Sequence, residues 1–81
     1  MKININHYRS GKTLLIHYLS MFPNTPKSRL MAEFSATQGL PLIICYYFLG
    51  EIIGFNDEIK DKINDFKKYY KIEHMEGETY E

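Results

Sequence analysis

Gly11-Lys12-Thr13, Cys45 and the three histidines His7, His17 and His74 are the residues of this chain whose types could do chemistry. Gly-Lys-Thr between a strand and a helix is the setting of a phosphate-binding loop, in which backbone N–H groups and a lysine cradle the phosphates. The full motif needs a glycine five positions before Gly11, and Asn6 stands there instead. Without that glycine the segment reads as a helix start with Lys12 in solvent. None of the histidines has a second ligand at helix or strand spacing, so no metal site is expected. They are assigned to a strand end, a helix surface and a tail; a partner contact by His7, beside Tyr8 and Arg9, is the alternative to its place at the strand end. Cys45 lies in the most apolar part of the chain. A thiol nucleophile needs a lowered pKa, a neighbouring base and access, and burial opposes all three, so Cys45 reads as a core residue. Ser10, Ser20, Ser28 and Ser35 lack the tight-turn motif of a serine nucleophile. The carboxylates gather beyond Asp57, on a segment that reads as solvated, and no pair is placed to share a cleft. The expectation is a protein without catalytic residues, cofactor or metal.

The elements that would position these residues follow from periodicity. Lys2-Ile3-Asn4-Ile5-Asn6 alternates, which predicts a strand ending near Tyr8 with Ile3 and Ile5 buried. Ser10 then serves as a helix cap, and Leu14, Leu15, Tyr18, Leu19 and Phe22 recur at helical spacing over Thr13 to Phe22 until Pro23. Thr25-Pro26 opens a second helix over 26–38 with Leu30, Met31 and Phe34 inward, and Gly39 sits at its left-handed end. Leu42 to Phe48 is rich in β-branched and aromatic residues, which favours a strand. Leu49-Gly50 turns the chain, and Glu51 to Phe55 returns as the second arm of a hairpin. A helix over 42–49 is the alternative. Asn56 or Asp57 caps a last helix with Ile59, Ile63, Phe66, Tyr69 or Tyr70, and Ile72 on one stripe and charges elsewhere. The expected fold is therefore α+β, a small single domain over 1–72 in the order β-α-α-β-β-α. A three-stranded sheet would carry the hairpin against the helices, and 73–81 would form an acidic, disordered tail. If 42–49 is helical, the fold becomes mostly α.

In a strand over 42–48 both faces are apolar. Helices covering one face leave the other as a Tyr- and Phe-rich patch of the kind that marks interfaces. The contact residues expected on this ground are Tyr46, Phe48, Tyr69 and Tyr70.

Pro41 to Ile44, followed by Gly50-Glu51-Ile52-Ile53-Gly54-Phe55, resembles the second and third strands of GNAT-type acetyltransferases. The order of one strand, two helices and a hairpin resembles their N-terminal half, over about residues 2–55. The resemblance implies that topology and, at most, a degenerate acetyltransferase fragment. After Phe55 the chain runs into a charged helix, Asp57 to Lys71, and no residue matches the family's acetyl-CoA loop, so no functional residue is carried over.

Composition points the same way as the missing motifs. The chain has 81 residues, Lys and Arg number 10, Asp and Glu number 10, and one cysteine is present. A domain this small buries a modest share of its surface, and nothing here staples it by disulfide or zinc. Balanced charge argues against a nucleic-acid partner, which usually requires a basic excess. Lys67, Lys68 and Lys71 beside Tyr69 and Tyr70 form a small basic cluster, but Asp61, Asp65 and Glu73 surround it. Leu40 to Phe55 is the longest apolar-rich stretch; it is broken by Pro41, Gly50, Glu51 and Gly54 and falls short of the roughly 20 residues of a membrane span. No membrane partner is expected, and the polar N-terminus predicts a cytoplasmic protein without a signal peptide. With seven Tyr and five Phe, the chain suits a small protein-binding module of inhibitor, immunity or accessory type, or a structural homodimer.

Overall fold

Four helices follow one another at short connections: α1 (Ser10–Met21), α2 (Lys27–Gln38), α3 (Leu42–Ile53) and α4 (Asp57–Phe66). They are flanked by two three-residue strands, β1 (Lys2–Asn4) and β2 (Lys71–Glu73), and a 3-10 turn over Ile5–Tyr8 links β1 to α1. The computed structural model describes residues 2–73. The strands pair in parallel with Ile3 opposite Ile72, as a two-stranded sheet. The molecule is thus mostly helical, and the expected three-stranded α+β sheet with a hairpin is corrected.

The correction centres on α3. Residues 42–53 are one helix, the alternative allowed for 42–49 and extended by a turn. Its interior is apolar nearly all round: Ile43, Ile44, Cys45, Tyr46, Phe48, Leu49 and Gly50 are buried. α3 packs against α1, α2 and α4, so almost every side of it meets another element. A helix covered on all sides needs no polar stripe, and its sequence then looks like a buried strand. The β-branched residues give up a few tenths of a kcal/mol each in helix propensity. Full burial of each Ile returns roughly 1.5–3 kcal/mol, so packing decides the conformation.

Gly50 is not a turn. It lies inside α3, and a Cβ there would overlap the Phe55 ring, which folds back over the helix and meets Tyr47 edge to face at 5.7 Å. Gly54 ends the helix at φ 105°, its N–H donating to the Gly50 carbonyl. The acetyltransferase-like hairpin therefore does not exist here, because the residues that carry the resemblance are helical.

The other elements follow their sequence signals closely. Ile3 and Ile5 are buried as expected, though the strand stops at Asn4. Leu30, Met31 and Phe34 are the buried stripe of α2, and Gly39 ends it at φ 69°. Helix α2 starts at Lys27 with Pro26 at the cap position, one residue from expectation. Ser10 does not cap α1, because Arg9 is itself helical and joins α1 to the preceding turn. At α4, Asn56 Oδ1 accepts the Ile59 N–H at 2.9 Å, and Ile59 and Ile63 face the core. That helix ends at Phe66, so Tyr69 and Tyr70 lie in the following turn. Of the segment expected as an acidic tail, 73–81, Glu73 belongs to β2 and the rest lies outside the described residues. No helix among the described residues is long and apolar enough to cross a membrane.

Candidate functional site

Gly11, Lys12 and Thr13 form the first turns of α1, where the sequence suggested a broken phosphate loop. The Lys12 N–H donates to the Arg9 carbonyl at 3.1 Å, so this amide is part of the helix rather than of an open cradle. Gly11 is a packing position: a Cβ on it would stand 2.9 Å from Leu40 Cδ1. Leu40 is delivered there by the end of α2, where its N–H donates to the Ser35 carbonyl at 3.2 Å and Ser35 Oγ donates back to the Leu40 carbonyl at 2.6 Å.

Lys12 is not free in solvent. Its Nζ lies 3.0 Å from Glu51 Oε1, and Arg9 Nη1 lies 2.8 Å from the same oxygen. The Arg9 guanidinium also sits 5.4 Å from the Phe48 ring centroid. Two cations stand at a helix N-terminus that holds no acidic residue in its first turn, a placement the helix dipole disfavours. Glu51, reaching across from α3, supplies the missing negative charge. The cluster ties α1 to α3, and sequence reading missed it because the partners are distant in the chain.

Cys45 is fully buried, and burial pushes its thiol up to about 12, opposed in part by a hydrogen bond with Ser35. A thiol so far from ionisation is a packing group. Burial likewise raises the Tyr46 phenol, with the Glu58 charge adding to the effect. His7 is exposed and stacks edge to face on Tyr8 at 5.3 Å; His17 is exposed on α1, and His74 lies outside the described residues. No group of three His, Cys, Asp or Glu among the described residues is placed to hold a metal ion. No charged side chain among them is buried.

The four expected contact residues part company. Tyr46 and Phe48 are in the core, at 3% and 0% exposure, and offer a partner nothing in this fold. Tyr46 packs on Phe66 at 5.9 Å. Tyr70 is half-buried against the core, and Tyr69 stands in solvent at 71% exposure. The basic cluster of Lys67 and Lys68 is exposed beside it, with Lys68 4.0 Å from Asp65.

The surface that stands out is the outer side of α1. Leu14, Ile16 and Met21 are exposed at 36, 47 and 52%, and Phe22, the residue that follows the helix, at 41%. Thr13, His17 and Ser20 are exposed between them. From Thr13 through Pro26 the chain has no Asp, Glu, Lys or Arg. The outer faces of α2 and α4 differ sharply. Arg29 and Glu33 pair at 3.2 Å on α2, and Asp57, Glu58, Lys60, Asp61 and Asp65 stand exposed on α4. Helix α1 buries only Leu15 fully, with Tyr18 and Leu19 partly covered. Tyr18 reaches inward to Phe34 at 4.9 Å. The signal that could have found this face was in the sequence, as the uncharged stretch from Thr13 to Pro26; a longer one, from Phe34 to Gly50, runs into the buried α3.

No family model matches this chain, and neither a curated protein nor a solved structure matches it.

Proposed function

We propose that this protein is a non-enzymatic protein-binding module that works by docking the outer face of α1 on another protein chain. The observation that carries the reading is the uncharged, apolar-rich surface from Thr13 to Phe22 on a helix exposed to solvent. A surface helix ordinarily carries charge on its outer side. Charged residues are depleted at the cores of protein interfaces, while aromatic residues and methionine are enriched. The ionisable groups of the interior and of the α1–α3 cluster serve packing and cohesion, which supports a role outside catalysis. Inhibitor, immunity or accessory action all fit such a module. We place it in the cytoplasm, where a lone buried thiol such as Cys45 stays reduced.

The reading is tested by capture. Tagged wild-type chain is compared with Ile16→Glu and Ser20→Lys as baits in lysate of the source cell, with mass spectrometry of what is retained. A stoichiometric protein held by the wild type and lost by both variants supports docking through α1. Equal retention by all three baits removes α1 from the function.

A further inference from the structure

We infer that the occupant of the α1 face is a second copy of this chain, docked as an antiparallel helix pair about a two-fold axis beside His17. The inference rests on the docking reading above and names the partner.

Charge is the first argument. A surface packed on α1 must itself be free of charge, because burying a charge without a counter-ion is strongly unfavourable. Among the described helices with an extended outer face, α1 alone meets that condition, since α2 and α4 carry exposed Arg, Lys, Asp and Glu. The chain therefore carries its own complement.

Size is the second argument. Successive helical residues turn by roughly 100°, so Thr13, Ile16, His17, Ser20 and Met21 line one side with Leu14 at its edge. In an antiparallel pair centred on His17, positions equally far before and after it face each other across the axis. Thr13 then meets Met21 of the other copy, and Leu14 meets Ser20. In these two pairings a long side chain lies against a short one, and by symmetry each occurs twice, while His17 faces its own counterpart on the axis and Ile16 lies beside it, its positional opposite Tyr18 being turned inward to Phe34. Such alternation lets two helices interdigitate at ordinary packing density.

Helix α1 has 12 residues, which at the helical rise makes it about 18 Å long. A contact of that length stays below the roughly 800 Å² per partner of a standard interface. The dimer is accordingly weak.

Sedimentation equilibrium of the full chain from about 1 µM to about 1 mM reads this directly. The weight-average mass should rise from that of one chain toward two. Ile16→Glu and Ser20→Lys should each hold it at one, while Glu33→Gln on α2 leaves the rise intact. Far-ultraviolet circular dichroism at the lowest concentration should be the same for all four proteins; because both α1 positions are exposed, two independent variants guard against one that misfolds. With mild oxidation, His17→Cys should give a disulfide dimer and Glu33→Cys should not. A wild type that stays at one mass throughout, or α1 variants that dimerise like it, would overturn the inference. A dimer that His17→Cys fails to crosslink overturns the axis. Should the wild type be monomeric yet still capture a lysate protein that the α1 variants lose, the second copy is wrong and docking through α1 stands. If it is monomeric and all baits behave alike, both fall.

Discussion

Replacing Gly50 by alanine should lower stability, although the same change in an ordinary helix raises it. Gly50 is inside α3, where alanine gains about 1 kcal/mol in helix propensity. The new methyl, however, would occupy the space of the Phe55 ring. The ring can swing away, since Phe55 is already 40% exposed. It then loses the burial it has: about three-fifths of the 1.5–3 kcal/mol available to a large apolar side chain, or roughly 1–2 kcal/mol. Its edge-to-face contact with Tyr47 adds roughly 0.5–1.5 kcal/mol. Against the propensity gain, Gly50→Ala should cost about 0.5–2.5 kcal/mol. In a Phe55→Ala background the obstruction is gone, and Gly50→Ala should stabilise by up to about 1 kcal/mol. The sign inverts, and the coupling energy of the double-mutant cycle exceeds about 1.5 kcal/mol. Urea unfolding of the four proteins, followed at 222 nm, measures it. If Gly50→Ala stabilises the wild type, or if the two changes simply add, the account of Gly50 as the seat of Phe55 is refuted.

Three further expectations concern parts of the fold away from Phe55. Cys45 is held neutral to about 12, against an ordinary thiol value of 9.0. The unfolded chain thus loses this proton first as pH rises, and stability falls above pH 9 by up to roughly 1.4 kcal/mol per pH unit. Urea unfolding at pH 8, 9 and 10 should show a steeper decline for the wild type than for Cys45→Ala, and parallel declines would contradict it. Asn56→Ala removes the acceptor of the Ile59 N–H; the expected loss is about 1 kcal/mol, read as a lower urea midpoint, with Asn56→Asp close to wild type. Glu51→Gln leaves Arg9 and Lys12 without their shared counter-ion. As these groups are part-exposed, the loss is at most about 1 kcal/mol per pair, and it should shrink in high salt; a salt-independent effect would assign Glu51 to packing instead.

Much of the helical framework was legible in local chemistry. The Asn56 cap, Gly39 and the stripe of Leu30, Met31 and Phe34 each act within a turn or two, and each stands where expected. Helix α3 was not legible as the favoured reading, because a helix enclosed by three others loses the polar face that distinguishes it from a buried strand. Gly50 deepened the error: the residue that looked like a turn is a recess, and only the position of Phe55 reveals it. β2 was missed for a related reason, since Ile72 continued the stripe of α4 on paper while the chain turns after Phe66. The contact residues were chosen for being aromatic, and Tyr46 and Phe48 went into the core with the misread strand. Absence of charge from Thr13 to Pro26 is the feature on which the proposed α1 surface rests, and absence of charge alone does not mark a surface, since the uncharged run from Phe34 to Gly50 leads into the buried α3.

The parallel pairing of β1 with β2 joins the two ends of the described chain. Four helices must be made before Ile3 meets the strand that lies opposite it. Synthesis runs from the N-terminus, and domains fold as their parts become available. A nascent chain can gather α1, α2 and α3 early, but β1 waits for residues 71–73 to leave the ribosome. That closure spans nearly the whole described chain and carries the largest loop-entropy cost in the fold. Truncation before Lys71 therefore removes β2 whole and leaves the β1 backbone without the strand it pairs with.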